Sequence, residues 1–397
     1  MSNSEWGAIR RSLADSVSNV IEKKMGTSSG YKPSEWAEQI NLMGALPEKT
    51  ASGAIANFSD GADDVPVKEA KFYFLPKQAS GTPTPSSPIS IDGWTGLTAY
   101  QFGKNMIDLS SMVDGYVNTN GTFNTNHSNG EMRSDFIPVK PNTTYYFSII
   151  ETTGTAADWV GIGEYTSNDV TTFIRRDSFW RFTTSENAKY IVVSSRNLAQ
   201  ATKIQLEVGN DPMTYEAYQA PTTYPVSWSE HGTIYGGYVD ATRGKVVKTM
   251  KLMTISEMGF VKSVDYFTVN KSTLGALGNS STSLYCSCFP RGTSANDNVF
   301  WETAIGIRFR CSDYSDVTEM EQAIGNETFC FELATPVEYD ITAFTPNTLY
   351  GTNNFFSDAN GDTEVTYRRD IDLALNSGAS LLGFGLGNPN VGQESEE

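Results

Sequence analysis

The sequence predicts a mainly β protein that opens with a short helical pair, and three observations carry this. Apolar residues make up 39% and charged residues 19% of the 397-residue chain, both below the share usual in a soluble enzyme. Aromatics reach 12%, beside 34 glycines and 16 prolines, a balance suited to short ring-bearing strands punctuated by turns. The hydrophobic period also changes: it is helical up to about residue 46 and two-residue from residue 51 onward.

Residues 4–46 read as two helices. Trp6, Ile9, Leu13, Val17, Val20 and Ile21 recur at helical spacing, and "MGTSSGYKP" then breaks the pattern. Ser34 is placed to cap a second helix with Trp36, Ile40 and Met43 on one side. A pair this small buries little surface alone, so it is expected to dock on a partner or to trimerise through its apolar stripe. Trp6, Ile9, Leu13, Val17, Trp36 and Ile40 are the candidate docking residues.

From Ala51 the alternation of Ile55, Phe58, Val65, Val67, Phe72 and Phe74 predicts strands. Pro83, Pro85 and Pro88 then impose an extended excursion. In the third region, "FIPVKPNTTYYFSII" and "FWRFTTSENAKYIVVSS" each read as strand, polar turn, strand, and "TKIQLEVGNDPMTYEAYQ" closes the region; together they suggest an antiparallel sandwich. In the fourth, residues 240–244 form a hairpin turn and "DVTEMEQAIG" is a short helix. After Asp370 the chain turns Gly-, Ser- and Asn-rich and ends acidic, which reads as a loose or docking tail. The expected segments are 1–46, 51–102, 103–220, 221–371 and 372–397.

A net charge of −17 argues against nucleic acid as a partner. No apolar run has the length of a membrane span, and the N-terminus lacks a signal-peptide core, so folding is expected in a reducing cytoplasm. The four cysteines, Cys286, Cys288, Cys311 and Cys330, read as buried thiols rather than a zinc knuckle. His127 and His231 read as turn residues, and "SDGADD" at 59–64 misses calcium-loop spacing. Glu164 and Asp177 are acidic candidates with no predicted cleft. No catalytic, metal or cofactor residue is therefore assigned. Trp159, Tyr165, Phe173, Phe179 and Trp180 crowd the third region. Trp159, Tyr165 and Trp180 are the candidate sugar-stacking residues, while Phe173 and Phe179 are read as core.

These segments resemble a known family in order. "WGAIRRSLADSVSNVIEKKMGTSSGYKPSEWAEQI" resembles a helical module near the start of tail and baseplate proteins of phages and prophages of Gram-positive hosts. The segments at 52–96 and 331–370 look like parts of the same proteins. "FGKNMIDLS", "FIPVKPNTTYYFSI" and "IQLEVGNDPMTYEAY" are similar to their carbohydrate-binding-module-like jelly rolls. The resemblance spans most of residues 5–370; the stretch at 251–290 and the tail after Asp370 are unmatched. It implies a small split β domain interrupted by an inserted jelly-roll sandwich. It further implies a non-catalytic virion protein of baseplate or tail-fibre type, made in the host cytoplasm and assembled with other tail proteins. Such a protein is expected to be a homo-oligomer, with a trimer favoured, and to meet a host-surface glycan. The alternatives are a purely structural tail protein without receptor contact, a secreted carbohydrate-binding adhesin, and a glycan-degrading tail enzyme.

Overall fold

The computed structural model describes residues 49–53, 56–59, 67–125, 130–154, 159–276, 283–347, 349, 352–359, 361 and 363–367. The chain divides into a larger unit, residues 51–64 and 69–365, and a smaller one, residues 1–50, 65–68 and 366–397. The expected helical pair, with Trp6, Ile9, Leu13, Val17, Trp36 and Ile40, lies outside the described residues, as does the segment 372–397.

The described chain is mainly β, with three short α-helices, Ile255–Met258, Lys271–Leu274 and Val317–Ile324. The strand Glu69–Phe74 buries Ala70, Phe72 and Phe74 in alternation, as a sheet with one covered face requires. It pairs antiparallel with Gly237–Asp240, which pairs with Lys245–Thr254, then Thr328–Asp340, then Tyr285–Cys286. These strands belong to a seven-stranded sheet. The hairpin turn falls at 240–244: Asp240 Oδ1 accepts the Arg243 N–H at 3.1 Å, and Gly244 takes the positive φ of 62° that closes it.

A second, four-stranded sheet runs in the order Thr222–Ser227, Gly96–Gly103, Thr352–Ser357, Ala56–Ser59, all antiparallel. Aromatic rings join the two sheets. Phe74 stacks on Trp228 at 5.0 Å, and Phe344 stacks on both Phe72 (6.1 Å) and Tyr224 (4.8 Å).

The strands Gly96–Gly103 and Thr222–Ser227 pair from Gly96↔Ser227 to Gln101↔Thr222, so residues 104–221 leave and return through adjacent strands. Between them lies a sandwich-like pair of antiparallel sheets. The six-stranded one runs Phe173–Asp177, Val160–Tyr165, Tyr190–Ser195, Met132–Arg133, Val113–Asp114, with Ile137–Pro138 also on Tyr190–Ser195. The three-stranded one runs Arg181–Thr183, Thr144–Thr152, Ala201–Val208. Val160, Ile162, Ile191 and Val193 from the first pack with Tyr145, Phe147, Phe182, Ile204 and Leu206 from the second. Tyr100, Phe102 and Phe356 of the four-stranded sheet join the same core, with Phe102 and Phe356 stacked at 5.5 Å and 4°. The insert is thus packed onto its carrier sheet by three aromatic rings rather than hung on a tether.

A buried polar clasp closes the insert. Asn105 Oδ1 accepts the N–H groups of Ile107 (3.2 Å) and Leu206 (3.1 Å), while its Nδ2 donates to Ile204 O (2.9 Å) and Glu216 O (3.3 Å). Glu207 Oε1 accepts from Gln205 Nε2 (2.8 Å) and from the Met213 N–H (3.0 Å), and the Glu216 N–H donates to Gln205 Oε1 (2.8 Å). Lys104 Nζ donates to Thr214 O and lies 3.7 Å from Glu207 Oε2 and 3.8 Å from Glu216 Oε1. The first residues of the insert thereby hold its last ones, in a buried network in which Glu207 Oε2 has the Lys104 ammonium as an ion-pair partner but accepts no hydrogen bond.

In the fourth region a four-stranded sheet, Val261–Lys262, Phe267–Asn270, Gly306–Arg310, Val299–Glu302, packs around Phe309 and Phe329. The helix Val317–Ile324 starts where Asp316 Oδ1 accepts the Glu319 N–H at 2.9 Å, and it buries Met320 and Ile324.

Candidate functional site

The structure places the three candidate stacking rings apart. Tyr165 has no exposed surface. It pairs opposite Tyr190, on the face of the six-stranded sheet turned away from the main sandwich core. There the hairpin Tyr116–Val117 and Phe123–Asn124 lies over it. Its hydroxyl donates to Gly121 O at 2.8 Å, and Phe136 and Phe173 meet it edge-on at 5.0 and 5.7 Å. Tyr165 is therefore a core residue, and the expectation that it is exposed is corrected. Gly163, which lacks a side chain, lets the hairpin approach. A Cβ on Gly163 would stand 2.9 Å from Val117 Cγ1.

Trp180 stacks on Phe147 at 5.7 Å and 11° and packs against the main core. Trp159 is half-buried; the Arg176 guanidinium stands 4.9 Å over its ring, and Tyr116 meets it edge-on at 5.9 Å. Each ring thus spends at least one face on its own protein. Phe173 is part of the packing around Tyr165, as a core residue should be. Phe179, also expected in the core, is 70% exposed. The reason is register: the Phe147 N–H donates to Trp180 O, so Trp180 shares the inward face with Phe147 and Phe179 takes the outward one.

The acidic candidates are committed. Buried Glu164 accepts Arg175 Nε (3.0 Å) and Nη2 (2.8 Å) on one oxygen and the Ser185 N–H (2.9 Å) on the other. Asp177 Oδ1 accepts the Ser178 N–H at 2.7 Å. His231 stacks on Tyr339 at 4.6 Å, with Nε2 3.3 Å from Asp340 O. His127 and residues 60–64 lie outside the described residues.

The four thiols do not converge. Cys286 and Cys288, two apart along the chain, bring their Sγ atoms to 3.7 Å. Cys286 pairs opposite Phe329, so Cys330, the next residue, projects from the other face into a separate cluster with Met250 and Ile91. Among the described residues no group of three or more His, Cys, Asp or Glu is placed to hold a metal ion. Burial pushes the Cys311 thiol up to about 11 and the Cys330 thiol up to about 12; the hydrogen bond between the Cys288 and Cys286 thiols, together with burial, also raises Cys288. Because all four thiols are buried, iodoacetamide at pH 8 should leave them unmodified in the native protein and alkylate all four in urea, as read by intact mass. Rapid labelling of native Cys311 would contradict this.

Protein-family models, curated proteins and solved structures provide no match to this chain. Site assignment therefore rests on geometry. A cleft of about 980 Å3 opens where the turns at 140–142 and 186–187 approach Tyr73, Lys77 and Gln78. Three of its polar side chains are engaged: the Tyr73 hydroxyl donates to Glu364 Oε2 at 3.0 Å, and Lys140 Nζ donates to Gly361 O at 2.7 Å. Burial, reinforced by the Glu364 carboxylate, raises the Tyr73 pKa. Among the described residues no helix is long and apolar enough to cross a membrane.

Proposed function

We propose that this chain is a non-catalytic structural protein of a phage or prophage tail tip, of baseplate or fibre type, from a Gram-positive host. It carries residues 104–221, a carbohydrate-binding-module-like jelly roll, toward the host surface. The reading starts from the resemblance of the segments quoted above. The observation that supports it best is the way the insert is mounted. It leaves and returns through neighbouring strands, and Tyr100, Phe102 and Phe356 of the carrier sheet pack into its core. A module mounted this way keeps its orientation under load, which suits multivalent attachment through many weak contacts. In this reading the N-terminal residues dock or trimerise the protein among other tail proteins, and the finished protein resides in the virion.

A purely structural tail role without receptor contact is the second reading. It is favoured by the engagement of Trp159, Tyr165 and Trp180 with their own protein. The test is immunogold electron microscopy of particles from a lysogen or lysate that encodes the chain. Antibodies against the purified protein should decorate the tail tip. Gold confined to cell walls with bare tails would favour the adhesin alternative, and release of sugars from host wall polysaccharide by the purified protein would overturn the non-catalytic assignment.

A further inference from the structure

Beside the carrier strands, the sandwich holds a cleft of about 340 Å3 lined by Asp108, Ser110, Thr202, Tyr215 and Tyr218 over Ile107 and Ile204. We propose that this cleft binds one neutral pyranose ring of a surface glycan; the proposal rests on the attachment reading above and names its ligand class and site.

The two tyrosines differ from the rings considered so far. No aromatic neighbour packs on Tyr218, and its hydroxyl has no hydrogen-bond partner among the described residues. Among the described residues, the Tyr215 ring carries only the Lys203 ammonium, 5.8 Å from its centroid. Half-buried ring surface in a small concave site suits the C–H face of a sugar ring. The volume lies at the small end of the ~300–1,000 Å3 range of ligand sites, which suits a single ring and its substituents.

Across from the rings, the Asp108 carboxylate is held in place. Its Oδ1 accepts the Ser110 N–H (2.9 Å) and Oγ–H (2.8 Å), and its Oδ2 lies 2.9 Å from the same Oγ. Each carboxylate oxygen keeps acceptor capacity for a ligand hydroxyl, the Thr202 hydroxyl both donates and accepts, and Ser110 Oγ, its proton given to Asp108, accepts. A cationic ligand fits less well, because Lys203 already stands over Tyr215. An anionic one meets the Asp108 carboxylate and a chain of net charge −17. The segment bearing both tyrosines is pinned by the clasp, through the Met213 and Glu216 N–H groups, so the rings are organised before a ligand arrives.

The test is saturation-transfer difference NMR on the full chain. The probes are methyl glucopyranoside, methyl galactopyranoside and methyl N-acetylglucosaminide, with choline as a cationic control. At least one hexopyranoside should receive saturation on the protons of one ring face. Tyr218→Ala should weaken the signal by about tenfold, whereas Tyr218→Phe and the outward Phe179→Ala should keep it. Thr202→Trp, at an exposed rim position, plugs the cleft without touching the core and should abolish it even if a tyrosine variant fails to fold. No transfer from any of the three sugars, transfer from choline alone, or full transfer in Thr202→Trp would each overturn the proposal. Tail-tip gold labelling with no sugar transfer sinks this site and spares the virion reading. Sugar transfer lost in Thr202→Trp supports the site whether or not tails are labelled.

Discussion

Glu207→Ala should destabilise the protein by about 3–5 kcal/mol, the usual consequence of removing one partner of a buried ion pair. The Glu207 side chain is 1% exposed and that of Lys104 is 8% exposed. Removing the carboxylate strips the ammonium of its buried counter-ion and deletes the acceptor for Gln205 Nε2 and the Met213 N–H. Urea unfolding followed by tryptophan fluorescence gives the number. Lys104→Met in the Glu207→Ala background should recover part of the loss, because it removes a buried charge left with only the half-buried Glu216 carboxylate at 3.8 Å, so the two changes will not add. Limited proteolysis should also show new cleavage within 209–221, where the clasp has let go. A loss under about 1 kcal/mol, the range of exposed pairs, would mean that the clasp does not hold the closing segment. The same variant should weaken sugar binding, since it frees the segment that carries Tyr215 and Tyr218.

Phe309→Ala should also lower stability by about 3–5 kcal/mol, a large part of the ~5–15 kcal/mol available to a folded domain. Phe309 has no exposed surface. Its ring meets Phe267 at 4.8 Å, Phe260 at 4.9 Å, Phe289 at 5.0 Å and Phe329 at 6.4 Å. It therefore joins the Gly306–Arg310 strand to the long Thr328–Asp340 strand, and truncation leaves a void that four rigid rings cannot close. Val264→Ala, at a position 90% exposed, serves as the control and should stay within about 0.5 kcal/mol of the parent. Equal midpoints for the two variants in urea would show that this aromatic cluster is not the core of the fourth region.

The residues that sequence reasoning placed correctly are those governed by their immediate neighbours. The hairpin turn at 240–244 appears as expected because Asp240 and Gly244 carry the hydrogen bond and the positive φ that close it. The helix Val317–Ile324 was legible because Asp316 and Glu319 supply its first turn with a cap. Tyr165 and Phe179 were misread for one shared reason. Alternation says which residues share a face of a strand, and nothing in it says which face another part of the chain will cover. At Tyr165 the covering piece is a hairpin more than forty residues earlier in the chain, admitted at Gly163; at Phe179 the outward side stays bare. The alternation of Gly161 and Gly163 was the one signal that pointed to close approach.

Short-range chemistry in the chain was enough for a mainly β protein, its turns, its capped helix and its acidic surface, because each follows from residues a few positions apart. Strand partnership required the folded molecule. Ile137–Pro138 and Thr144–Thr152 flank one turn yet pair with Tyr190–Ser195 and Arg181–Thr183 respectively, so that turn and the one at 184–189 each cross between sheets instead of closing a hairpin. The clasp of Lys104 and Asn105 with Gln205, Glu207 and Glu216, and the cleft it organises, arise in the same way. Long-range pairing is selected by the burial it achieves for the whole sandwich, and no local preference encodes that sum.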